Sequence, residues 1–355
     1  MRQGPLRVSA FSFSCKIVCG MRREFSPRVC EATGDSKASL GVDVVAGPPS
    51  YGGQAVIEGV VMRGPRFASM SVRDPGGEIV SFVKKADTLS RKSALLRLPV
   101  VRGALSFWDS LSLGVEMLMR SADISFPEEE KSSKGALDLS VLIAAVLAVG
   151  LFIVFPAVAA PYVAAALKVT GTFWASLVEA FVRVLVLVAY VGSISRLKEI
   201  RRVLEYHGAE HKVIWAWENH YREINDRIYL DKWGVPEISE FLASKARFES
   251  KLHPRCGTSF LFIVVLVTWV VFLFITPQGV VNRVVARLAL LPLTAGLSYE
   301  FLKASATREG GFWRLLRAPG MGLQAMTTRE PEPEQLEVAA DSLARLVEAE
   351  RGGFR

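Results

Sequence analysis

The sequence predicts a mainly α, polytopic membrane protein with four transmembrane helices and a small antiparallel β meander ahead of them. Half of the 355 residues are hydrophobic although 22% are charged, so the apolar residues must be concentrated somewhere. They fall into four blocks, 139–167, 173–192, 260–275 and 280–299, of which the first and third carry no charge. A bilayer core of roughly 30 Å takes about 20 apolar helical residues, so the first two blocks suffice alone and the others do with their flanks. Between them the polar stretches are short, except for one of about sixty residues.

The first 45 residues read as an organelle transit peptide. Arg2, Arg7, Lys16, Arg22, Arg23 and Arg28 stand among serines, opposed only by Glu24 in the first thirty positions, and no sustained apolar core makes this a secretory signal. Cys15, Cys19 and Cys30 would leave with the leader, so Cys256 would be the only thiol of the mature chain and no intramolecular disulfide could form. After a Gly- and Pro-rich linker, residues 46–135 hold three runs of strand character, 55–62, 67–73 and 78–84. The last two are separated by the turn sequence Asp74-Pro75-Gly76-Gly77. Leu105, Trp108, Leu111, Val115 and Leu118 then recur at helical spacing, giving an amphipathic helix able to lie on a membrane or pack on the strands.

Residues 136–302 form the membrane region, in which Pro156 and Pro161 predict a kink or re-entry of the first block. Glu179 and Arg183, four apart in the second block, neutralise each other or face a polar cavity. The polar insert 193–258 begins as a continuing helix whose apolar face contains both His207 and His211, with Gly208 signalling a kink or a close approach. Residues 303–355 form a C-terminal soluble segment ending in an amphipathic helix. Two membrane hairpins put the leader side, the insert and the C-terminus in one compartment, and the basic run Arg196, Lys198, Arg201, Arg202 marks it as cytoplasmic or stromal.

The segment His207-Gly208-Ala209-Glu210-His211 carries the chemistry. Residues four apart share a helix face, so two imidazoles can grip one ion while Glu210 remains free as a base; the H-x-x-E-H spacing also occurs in inverzincin peptidases. The alternative is a helix with two ordinary histidines. A second cluster, His253 to Thr258, stands just before the third block as the first stands just after the second, making His253 the natural third ligand and Cys256 its reserve. Glu58, in an apolar run, is an additional ligand, a partner for Arg63, or a solvated strand residue. The expected cofactor is a divalent metal, zinc first, with Glu210 catalytic.

The strings GGQAVIEGVVMRGP from Gly52, YHGAEHKVI from Tyr206, HPRCGTSFLF from His253, LSYEF from Leu297 and TTREPEPEQLEVA from Thr327 resemble the blocks of the YqhQ-like family, integral membrane proteins of bacteria and plastids described as predicted metal-dependent enzymes. The resemblance spans about residues 52–340 and implies membrane location and a metal; its plastid occurrence agrees with the leader, and so implies a chloroplast membrane with the site on the stromal side. Expected partners are the lipid bilayer, a lipid-like or membrane-protein substrate, and a second copy of the chain. Interspersed acidic residues and the absence of a phosphate loop argue against nucleic acid. Two other functions fit less of the pattern: a non-catalytic scaffold or assembly factor with a structural metal, and a transporter using Glu179, Arg183, Arg283 and Arg287.

Overall fold

The computed structural model describes residues 48–86, 96, 98–127, 134–230, 232–275, 277–308 and 310–353. The leader and its three cysteines lie outside these residues. Four strands, β1 (Gly52–Val56), β2 (Gly59–Arg63), β3 (Phe67–Arg73) and β4 (Ile79–Lys85), form an antiparallel meander in sequence order. The run expected as one strand over 55–62 is two. Val56 pairs with Gly59, so Ile57 and Glu58 make a two-residue hairpin turn, and Glu58 takes a positive φ of 51°. The sheet is covered on both faces. Val56, Val61, Met70 and Val72 pack on Met117 of α1 (Pro99–Ser125), while Val60 and Met62 join the core of α5 (Lys198–Tyr229), α6 (Val235–Ala246) and α11 (Pro333–Glu348). Ser69 donates to the Ser342 carbonyl at 2.5 Å and Ser71 to Asp341 at 2.7 Å, so the last helix closes on strands near the start of the chain.

Helix α1 packs on the strands and also leaves its apolar stripe free, so neither of the two expected arrangements is contradicted. Gly103, Ser106, Gly114 and Ser121 form its buried face, and Gly103 meets the backbone of Gly296 in α9 (Leu291–Thr307). Its apolar stripe of Trp108, Leu111 and Leu118 is exposed. Small residues let helix backbones approach closely, which leaves the large side chains for the surroundings.

The membrane region also departs from four spans. Among the described residues two helices are long and apolar enough to cross a bilayer: residues 138–166, running through most of α2 (Lys134–Val149), a π-helical turn (Gly150–Val154) and α3 (Phe155–Ala166), and α4 (Thr172–Ile194). A third is reached only if α8 (Val280–Ala289) and α9 count as one span bent by 53°, where Pro292 opens the second helix. α7 (Thr258–Phe274) is apolar but has 17 residues, about 26 Å at 1.5 Å each, just short of the hydrocarbon thickness. The chain is thus a membrane protein by its apolar helices. Pro156 does not end the first span. Proline removes the donor that the carbonyl four residues back would use, and the π-helical turn before it absorbs the mismatch. α10 (Gly311–Thr327) packs on α7 and leads into α11.

Candidate metal centre

α5 arises from a 32-residue run with Glu199 in its first turn and Arg227 in its last, both favourable to the helix dipole. Its centre is buried on most sides, since Tyr206, Ala209, Val213 and Trp217 enter the core. His207 and His211 share a face turned toward the loop 251–257, their rings 4.5 Å apart. Each is aimed by a backbone carbonyl: Nδ1 of His207 lies 2.7 Å from Thr327 O, and Nδ1 of His211 lies 2.6 Å from Lys251 O. A carbonyl only accepts, so both Nδ1 atoms carry the proton and both Nε2 atoms present lone pairs. Nε2 of His207 is 3.2 Å from Cys256 Sγ, and Nε2 of His211 is buried without a hydrogen-bond partner among the described residues. These two nitrogens and the sulfur all lie within 4.8 Å of one another.

Cys256 therefore takes the third corner that was expected of His253. The His253 ring is buried 5.9 Å from that of His211, centroid to centroid, but its Nε2 faces Glu218 at 3.6 Å. Glu218 also pairs with Arg255. Glu58 is engaged elsewhere too, held by Nε and Nη2 of Arg202 and by Tyr206 Oη at 3.3 Å; Arg63, its alternative partner, donates to Ser110 at 2.8 Å. Among the described residues, then, two of the four sequence-chosen ligands come together with the reserve cysteine, and His253 and Glu58 do not.

Glu210 is fully enclosed beside this group. The Gly53 N–H donates to it, and a Cβ on Gly53 would strike the Glu210 side chain, so edge strand β1 closes over the carboxylate only because residue 53 has none. Burial pushes Glu210 up to about 8 against that hydrogen bond. Burial and then the Glu210 charge push Cys256 up to about 12, although Thr258 directs its N–H at 3.4 Å and its hydroxyl at 3.3 Å toward the sulfur. Desolvation holds His211 down to about 3 and His253 to about 4, and lowers His207, so all three are neutral at pH 7.

Gln324 and Trp215, which sequence reasoning did not select, help to hold this arrangement, together with the close approach that Gly208 signalled. Gln324 brackets His253, accepting from its N–H at 2.9 Å and donating to its carbonyl at 2.8 Å. Trp215 donates to Leu252 O at 2.9 Å. Gly208 marks a close approach rather than a kink: the Arg329 carbonyl occupies the space a Cβ would need, and the Arg329 N–H donates to Leu204 O at 2.9 Å. The adjacent Glu330 pairs with buried Lys212, so the corner at 329–331 docks on the histidine helix. A glycine inside a helix with a Pro-flanked charged pair elsewhere was the available signal, but nothing in spacing joins the two.

Comparison with known proteins bears on the whole of this architecture. Residues 98–227 and 237–349 match the family described as "Protein of unknown function (DUF1385)", which takes in most of the chain, including α5 and the 253–256 loop. The chain belongs to the DUF1385 family. It is also 31% identical over 317 residues to the "Uncharacterized protein YqhQ" of Bacillus subtilis (strain 168), covering 85% of this chain and 94% of that protein. No solved structure matches. The YqhQ-like resemblance of the sequence blocks is thereby met at the level of family, and the geometry gives those blocks physical meaning: GGQ supplies the N–H over Glu210, HGAEH two nitrogens and the carboxylate, HPRC the sulfur, and TTRE the carbonyl that orients His207.

The donor set fits a borderline-soft divalent ion. Two neutral imidazoles and one thiol suit zinc, whose four-coordinate shell would keep one place beyond these three. The Nε2 of His211, buried with no hydrogen-bond partner among the described residues, is the observation that an ion would satisfy.

Proposed function

We propose that this DUF1385 protein is a membrane-embedded, zinc-type hydrolase, with His207, His211 and Cys256 as ligands and Glu210 as the proton carrier. The observation that carries the reading is the convergence of three ligand atoms whose imidazoles are pre-oriented by backbone carbonyls, next to an enclosed carboxylate that is not one of them. Three protein ligands are the number that catalytic sites use; structural sites close with four. Carbonyl bonds at Nδ1 fix the tautomer and ring planes, so the site needs little reorganisation.

A zinc ion there would supply Lewis-acid activation of water and of a carbonyl or ester oxygen. Glu210 holds a proton at neutral pH while the site carries no positive charge; a cation beside it favours the carboxylate, from which it can accept a proton at Oε and return it to a leaving group. Cys256 must lose its proton to ligate, and the two donors from Thr258 stabilise the thiolate. His253 stands outside the ligand set, accepting the Arg255 backbone N–H at Nδ1 (3.3 Å) with Glu218 beside its Nε2. The substrate class that agrees with a site beside apolar helices is lipid-like or a membrane-protein segment.

The test is metal content of the purified full chain. One equivalent of zinc is expected, lost in His211→Ala and Cys256→Ala and retained in His253→Ala, with cobalt substitution giving a thiolate-to-metal absorption that Cys256→Ala removes. Loss in His253→Ala together with full occupancy in Cys256→Ala overturns the ligand set. Glu210→Gln should keep the metal and lose the biological activity; activity intact in that variant favours the scaffold reading.

A further inference from the structure

The second cluster of buried charge lies within the membrane region and takes no part in the metal centre. Arg183 stands eleven residues into α4, about 17 Å along a helix with 1.5 Å rise, and so at the middle of a roughly 30 Å core. It donates to Glu179 Oε1 at 2.9 Å, and Arg287 of α8 pairs with the same oxygen. Its Nε also points at Phe152 O, 3.3 Å away, within the π-helical turn that Pro156 imposes. One carboxylate thus faces two guanidinium groups and leaves one positive charge over. Arg287 is 7% exposed, yet its Nε and Nη1 have no hydrogen-bond partner among the described residues. Groups of this kind at membrane depth pair with something or mark a ligand path.

Two cavities of opposite character meet at this arginine. One, of about 520 Å³, is polar in part and is lined by Ser176, Glu179, Arg283 and Arg287 near the turns at Gly171 and Pro277. The other, of about 470 Å³, is almost wholly apolar and runs along α7 from Phe260 past Thr268 to Phe272, with Arg183 and Arg287 at its charged end. Arg287 and Phe272 line both, and the guanidinium lies 5.0 Å from the Phe272 ring centroid.

We propose that this is a binding site for an anionic lipid, its phosphate headgroup against Arg287 in the polar cavity and one hydrocarbon chain in the apolar one. The guanidinium fork matches a phosphate oxygen pair, and its unpartnered Nε and Nη1 are the donors a phosphate would take. A small free anion would satisfy Arg287 but leave the apolar cavity unexplained; a neutral lipid would fill that cavity and leave the charge uncompensated. This inference is independent of the hydrolase reading, because neither cavity is lined by His207, His211 or Cys256.

The experiment uses the purified full chain and native mass spectrometry, with phosphatidylglycerol and a diacylglycerol of identical chains, which lacks the phosphate, offered in equal amounts. The wild type should retain phosphatidylglycerol about tenfold over the diacylglycerol, the discrimination expected of one charge-assisted pair. Arg287→Gln should bring the ratio to about one. Thr268→Phe, which fills the apolar cavity and leaves Arg287 in place, should lose retained lipid of either kind. Equal retention of the two lipids by the wild type overturns the proposal whatever the variants do. Displacement of phosphatidylglycerol by inorganic phosphate also overturns it, in favour of a free-phosphate site.

Discussion

At the scale of single residues, the site depends on what surrounds each group more than on what the group is. Gly208→Ala illustrates the competition. Alanine favours a helix interior by about 1 kcal/mol over glycine, but here the new methyl would displace the Arg329 carbonyl, and such overpacking costs roughly 1–3 kcal/mol. The clash should win, lowering the thermal midpoint and loosening the 329–331 corner; an unchanged or raised midpoint would show that the corner can yield. The buried titratable groups set a pH dependence for the metal-free protein. His211 and His253 titrate near 3 and 4 when folded and near 6.5 when unfolded, so the unfolded chain binds more protons in between and stability falls as pH drops from 6.5 toward 4. Glu210 acts oppositely: folded, it keeps its proton up to about 8, and stability falls as pH rises from about 4.5 through 8. Between about pH 4.5 and 6.5 the two effects overlap and the two histidines outweigh the one carboxylate, so denaturant titrations of the apo protein should peak near pH 6.5, and Glu210→Gln should flatten the fall between about 6.5 and 8. An alkaline limb that persists in that variant would assign it to another group.

At the scale of elements, the candidate metal centre is a junction of α5, α10 and the loop before α7. Gln324 is the joint. Gln324→Leu would leave the His253 N–H and C=O buried and unpaired, at roughly 1–3 kcal/mol each, and should lower stability while weakening metal retention through the displaced Cys256. Retained metal affinity with lost stability would show that the 253–256 loop holds its shape without α10. This joint was not legible in the sequence because a lone glutamine within an apolar helix has no periodicity to betray it. The first span teaches the same lesson from the other side. Pro156 read as a break, but proline constrains only its own φ and its donor, and a π-helical turn meets both demands while the helix continues.

For the whole molecule, the two long apolar helices predict that the chain stays with membranes when peripheral proteins are stripped at alkaline pH, as recovery in the pellet would show; release to the supernatant would contradict a spanning topology. The sheet, α5, α6 and α11 form a packed core with its own buried apolar residues outside the spans. The polar, enclosed residues of α5 lie with this core, outside the two helices long and apolar enough to span.

The sequence by itself determined the class of protein and the residue types of the site, because charge-free runs and the i, i+4 spacing of His207 and His211 are local and survive without knowledge of the fold. It also determined the meander nearly whole, missing only the turn at Glu58, whose positive φ accompanies its pairing with Arg202. What only the tertiary structure decided was partnership. Whether His253 or Cys256 completed the trio depended on a loop clamped by Gln324 from a helix some seventy residues away, and Glu58 went to a guanidinium because α5 carries Arg202 one turn before His207. Contacts between residues far apart in the chain follow from packing, and their geometry leaves no trace in spacing.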